Sequence, residues 1–173
     1  MSVPEFSRPV RLDVLGPAPH AITIEADARE RAALADRFGL RAIDGLAAVV
    51  ALTRAGAVVI AEGTLRAAIV QACVATEADV PATIDEPFVL RFVPEADIDG
   101  DEVELDEDAL DEIGYAGGSV DIGEAAAQTL ALTLDPFPRA PDADAALREA
   151  GVIGEEDVRP ASGLAGLRDL LNR

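Results

Sequence analysis

Val120 to Arg139, VDIGEAAAQTLALTLDPFPR, is the stretch whose reading decides the fold. Asp121 opens it and Glu124 follows three residues later. At that spacing one carboxylate caps the first free amides of a helix while the other reaches back to the cap residue's own amide. Ile122, Ala126, Leu130 and Leu134 recur at every fourth position and draw an apolar stripe down one helical face. Pro136 and Pro138 end the helix, because neither has an amide proton to give and each pushes its predecessor toward extended geometry. The pattern predicts a helix between two stop signals, with one side laid on a core.

A second helix of the same build is predicted upstream, from Asp27 to Phe38. Asp27 and Glu30 repeat the box spacing, Leu34 and Phe38 face inward, and Gly39 suits a left-handed stop. Before it, Arg8 to Leu15 alternates as a half-buried strand, Gly16 to Pro19 turns, and His20 to Glu25 gives another strand through Ile22 and Ile24. Between the two helices the texture is β: Gly45 to Thr53, Ala57 to Ala61 with a continuation through Ala75, and Thr83 to Phe92. Ala55-Gly56 and Glu77 to Pro81 mark the reversals, and Gly63 marks a bulge or bend. Aromatic residues make up only 3% of the chain, so the core must be built from Ala, Val, Ile and Leu, with Phe38, Phe88 and Phe92 as its large anchors. The expected fold class is α+β, an antiparallel and strongly twisted sheet of roughly five to seven strands. The sheet is expected to be open or a partly closed barrel, with the Val120 helix packed on one face.

The charge is spread unevenly. Residues 1–93 hold nine Arg against twelve acids, and residues 94–173 hold five Arg against twenty-one, for a formal net charge of −19. Such a molecule repels phosphate backbones as a whole and attracts basic proteins, which excludes a non-specific nucleic-acid binder. Eleven of the nineteen residues from Pro94 to Glu112 are acidic, so a self-repelling surface loop is expected within 94–119. The domain reading is one α+β domain over 1–141 and a helical extension over 142–173. The extension's last helix starts near Ser162 and is lined by Leu164, Leu167 and Leu171. No apolar run approaches the roughly 20 residues that span a bilayer. The opening MSVPEFSRPV lacks the regions of a secretory signal, and the single cysteine suits a reducing compartment; the expectation is a cytoplasmic protein.

Several different short motifs follow one another along the chain. Gly63-Thr64-Leu65-Arg66-Ala67, Gln71-Ala72-Cys73-Val74-Ala75-Thr76-Glu77 and Phe88-Val89-Leu90-Arg91-Phe92 come first. The Asp121-Ile122-Gly123-Glu124 start, the Leu130-Ala131-Leu132 run and the Pro136-Phe137-Pro138-Arg139 ending follow. From Phe6 to about Pro141 the chain resembles the YceD family, the large ribosomal RNA subunit accumulation proteins, and its alphaproteobacterial form in particular. The resemblance implies a bacterial, non-enzymatic role in accumulation and processing of large-subunit ribosomal RNA. It also marks Cys73, Glu77, Asp121, Glu124, Pro136 and Pro138 as family-motif or structural positions. Some relatives carry a pair of cysteines where this chain has Gln71-Ala72-Cys73; one partner is missing here.

Each candidate for chemistry has a plainer reading beside it. Glu95 to Asp106 imitates a twelve-residue calcium loop, but Glu stands first, Glu102 replaces the apolar pin and no entering helix precedes it; a solvated acidic loop fits better. Weak divalent-cation binding there is left open. Cys73 and His20 could pair as a nucleophile and base, yet Cys73 sits in a β run, where a small buried thiol is the ordinary condition. A zinc site lacks ligands, and no metal or other cofactor is expected. The Asp121/Glu124 pair is better explained as capping than as acid–base catalysis.

The arginines carry the binding expectation. Arg29, Arg31, Arg37 and Arg41 cluster around the first helix, and Arg66 and Arg91 come from the β runs. If strand pairing joins Arg66 to Arg91, the sheet offers a phosphate-gripping face; otherwise these are solvated surface charges. Phe137 and Arg139 sit in a rigid proline-bounded segment as a partner anchor, or else Phe137 folds back on the sheet. The expected function is a non-enzymatic ribosome-biogenesis factor that binds precursor RNA, a basic ribosomal protein, or both. The competing reading is an acidic interaction scaffold unrelated to ribosomes. No membrane and no small-molecule substrate are expected.

Overall fold

The computed structural model describes residues 4–95 and 111–152. Five strands form one open sheet in the order β2 (His20–Glu25), β3 (Ala42–Ala55), β4 (Val58–Ala72), β5 (Asp79–Pro94) and β6 (Asp111–Tyr115). A separate two-stranded ladder joins β1 (Pro9–Arg11) to β7 (Ser119–Asp121). Three helices accompany them: α1 (Ala28–Phe38), α2 (Ile122–Thr133) and α3 (Ala143–Glu149). The class is α+β as expected, and the sheet does not close into a barrel. The calcium-like loop beyond Glu95 and the terminal helix from Ser162 lie outside the described residues.

The alternation that predicts the meander also sets its faces. Val50, Leu52, Val59, Leu65, Ile69 and Phe92 turn inward on β3 to β5 and are buried. Their neighbours Val49, Glu62, Arg66 and Asp85 point to the open side. Pairing from β2 through β5 is antiparallel throughout. A turn at Gly56-Ala57, with Gly56 at φ 65°, closes the β3–β4 hairpin where Ala55 faces Val58.

Four local expectations need correcting. The register runs unbroken through Gly63, and the irregularity falls between Ile43 and Gly45 instead. Gly63 is required for a different reason, the approach of neighbouring backbone. Arg8 to Leu15 is only briefly a strand, because Leu12–Val14 forms a turn of 3₁₀ helix. Asp111 to Tyr115, placed in the acidic loop, is a strand that pairs parallel to β5, with Phe92 opposite Ile113. The Arg91–Glu112 ion pair at 2.5 Å holds two charges across that edge.

The fourth concerns the capping box of α2, of which only half forms. Asp121 caps as expected, accepting from the amides of Gly123 at 3.0 Å and Glu124 at 3.2 Å. It also takes the Arg8 amide at 2.8 Å and the Ser7 hydroxyl at 2.5 Å. Glu124 does not reach back. It grips Arg37 through two bonds of 2.8 and 2.9 Å, since a guanidinium is a stronger donor than a neutral amide. Hydrogen bonding from the Arg37 guanidinium holds the Glu124 carboxyl below its usual range. On α1 both halves of the box are present, and Gly39 stops the helix at φ 66°.

Asp121 thus ties the N-terminal segment, the small ladder and the start of α2 together. Asp121→Ala should cost about 2 kcal/mol, the upper end for a helix cap, because two further donors lose their acceptor. Urea denaturation of the variant checks this; an unchanged midpoint would show that water replaces the carboxylate without loss.

Candidate partner-binding site

The two most distinctive motifs meet at one end of the sheet. Past the last pair of the β4–β5 ladder, Ala72 with Asp79, the chain turns through Cys73–Ala78, with Glu77 in the left-handed region at φ 60°. The segment that leaves α2 lies against this turn. The Val74 amide donates to the Pro138 carbonyl at 2.9 Å, and the Ala140 amide points at the Cys73 sulfur at 3.3 Å. Gln71 is buried, and its side-chain amide donates to the Asp135 carbonyl at 2.9 Å. Inward alternation along β4 places Gln71 on the core side, so a buried amide in need of a partner was readable in principle; its partner was not.

Cys73 and Ala143 form a small apolar cluster with Ala140, apart from the main core. The thiol has no exposed surface; Ala140 and Ala143, from the segment after Pro138, enclose it together with Ala75, Ala78 and Val80. Its pKa is lowered to about 7, first by the Ala140 amide and then by the Thr76 hydroxyl, which together outweigh the opposing effect of burial. His20 is exposed on β2 opposite Leu52, itself opposite Ala61, so the sheet separates imidazole and thiol by most of the length of β4. The two form no dyad. Among the described residues no three His, Cys, Asp or Glu side chains gather as a metal site. Iodoacetamide should label the native protein at least about tenfold more slowly than the denatured chain, as expected of an enclosed thiol. Equal rates would show that the covering segment opens freely.

A cleft of about 360 Å³ runs beside this junction, walled by Phe38, Leu40, Val74, Leu134 and Pro138. Pro138 is buried while Pro136 and Phe137 are exposed, Phe137 by 72%. Phe137 therefore does not fold back on the sheet. The Asp135 carboxylate fixes the bend by accepting the Phe137 amide at 2.9 Å.

The arginines are dispersed, and most have carboxylate partners. Arg66 faces Asp85 and Arg91 faces Ile60, so six positions of β4 separate them and no joint Arg face arises. Arg66 pairs with Asp85 at 3.2 Å, Arg41 with Glu77 at 2.8 Å, and Arg139 with Asp144 at 2.8 Å. Arg37 joins Glu5 to Glu124, and Arg31 donates to the carbonyls of Ala26 and Ile43, bracing α1 on β3. Arg29 is exposed on the first turn of α1 and has no ion pair among the described residues.

Among the described residues no helix is long and apolar enough to cross a membrane. No curated protein and no solved structure matches the chain. A family model described as "Large ribosomal RNA subunit accumulation protein YceD" matches residues 61–171. That span contains both the Gln71–Glu77 turn and the Pro136–Arg139 segment, so the two sides of the junction lie within it. The chain belongs to the YceD family, the large ribosomal RNA subunit accumulation proteins.

Proposed function

We propose that this protein is a non-enzymatic ribosome-biogenesis factor that supports accumulation of large-subunit ribosomal RNA. The family match over residues 61–171 carries the reading. Its mode of action is contact with a basic protein of the assembling large subunit, made through the end of the molecule where the family motifs meet. Three observations favour a protein contact over a direct grip on RNA. The net charge is −19. The guanidinium groups of Arg37, Arg41, Arg66, Arg91 and Arg139 already have carboxylate partners, which a phosphate would have to displace. The open side of β3 to β5 presents Val49, Thr64, Glu62 and Val89 and has no aromatic platform on which bases could stack.

Co-sedimentation with precursor large subunits tests the reading. The protein should travel with those particles at low ionic strength and leave them as salt rises through the physiological range, where charge attraction is screened. Absence from the particles at low salt would count decisively against it. Binding that depends on RNA after the proteins are stripped would move the contact to RNA.

A further inference from the structure

The junction of the two motifs combines exposed apolar side chains with an unbalanced rim of charge. Val74, 56% exposed, lines the cleft with Leu134, and Phe137, 72% exposed, stands beside it between the lining residues Pro136 and Pro138. Other exposed valines, such as Val49 and Val89, stand apart on different strands of the open sheet face. Asp135 lines the cleft, and the adjoining turn and the segment after Pro138 carry Glu77, Asp79, Asp142 and Asp144 against Arg41 and Arg139. Arg41 is held by Glu77 and Asp79, and Arg139 by Asp144. Asp135 and Asp142 have no cationic partner among the described residues.

We propose that this cleft receives a basic segment of a protein partner. An aliphatic side chain of that segment enters between Val74 and Leu134 against Phe137, and flanking lysines or arginines face Asp135 and Asp142. Apolar contact supplies the anchor and the carboxylates select for positive charge, while a phosphate chain would meet the same carboxylates with repulsion. The inference rests on the proposed function and names the partner chemistry of that same site.

The test uses the whole chain and a fluorescent peptide of alternating Leu and Lys, followed by anisotropy at about 0.01 M and about 0.15 M ionic strength. Phe137→Ala, at an exposed position with little packing to lose, should weaken binding about tenfold or more. The pair Asp135→Asn and Asp142→Asn should weaken it several-fold at low ionic strength and much less at the higher one. The distant pair Glu62→Gln and Glu86→Gln removes the same charge from exposed strand positions and should change binding by less than about twofold. No peptide binding by the native protein, no effect of Phe137→Ala, or equal losses from the two charge pairs would each overturn the proposal. So would an oligoribonucleotide that binds in a Phe137-dependent way. Complementation separates this idea from the function itself. If cells lacking the gene lose large-subunit RNA, and the Phe137→Ala protein restores it as well as the native one, the function stands and the cleft proposal falls. If gene loss leaves large-subunit RNA unchanged, the function fails, and the peptide measurements alone decide the cleft.

Discussion

Gly63→Val should destabilise the protein by about 3 kcal/mol or more, the range for forcing atoms into a packed site. A Cβ at Gly63 would lie 2.5 Å from the Val49 carbonyl oxygen, 3.0 Å from the tip of the Phe88 ring and 3.1 Å from the Val50 Cα. Two of these three are backbone atoms. Gly63 sits on the central strand, opposite Val50 on one side and Phe88 on the other, so relief would require β3 to move away and break ladder hydrogen bonds. Gly118→Ala is the control, because nothing lies within 4 Å of the added carbon, and it should stay within about 0.5 kcal/mol of the native protein. A Gly63→Val protein with the native urea midpoint would show that the two strands are not held as closely as described.

Phe6→Ala should cost about 3–5 kcal/mol, the usual loss for removing an enclosed aromatic ring. Phe6 has no exposed surface, and its ring also carries the Arg8 guanidinium at 4.7 Å from the centroid. The segment it anchors lies directly on the start of α2, where a Cβ at Gly123 would meet the Phe6 carbonyl oxygen at 2.6 Å. Releasing it takes Ser7 and Arg8 away from Asp121 and frees β1 from β7. Hydrogen exchange should therefore speed up at Val10 and Val120 before it does at Leu65 in the central strand. Uniform acceleration would mean that the N-terminal segment and the sheet unfold as one unit.

Phe6 also shows where the sequence stops being informative. A lone aromatic six residues into the chain has no periodic neighbours, so nothing local marks it as core, whereas Phe88 and Phe92 announce themselves by alternation. Both long helices and β3 to β5 were legible for that reason: their apolar periods and stop residues act within a few positions of each other. The strand Asp111–Tyr115 was hidden because Asp111 and Glu112 read as part of an acidic loop, while each residue's partner in Leu90–Pro94 lies 21 positions upstream. Glu124 had the right spacing for a capping box, but Arg37, on another helix, offered a better partner.

The candidate site divides in the same way. Cys73, Glu77, Phe137 and Arg139 stand out as motif residues, but their meeting depends on contacts such as Cys73 with Ala140 that cross 67 positions. The proposed Arg face failed on register: pairing puts Asp85 beside Arg66 and leaves Arg91 six positions of β4 away. Ion pairs made by residues far apart in sequence then neutralise charges that looked free.

The chain contains no lysine, which opens a direct measurement of the central claim. A carbodiimide activates carboxylates and joins them to amines without a spacer, so its products in intact cells should link this protein to lysines of other proteins. The account predicts products that tie residues 135–144 to a basic protein of precursor large subunits, and predicts that Phe137→Ala reduces them. Products confined to proteins outside those particles, or association preserved only through RNA, would contradict it.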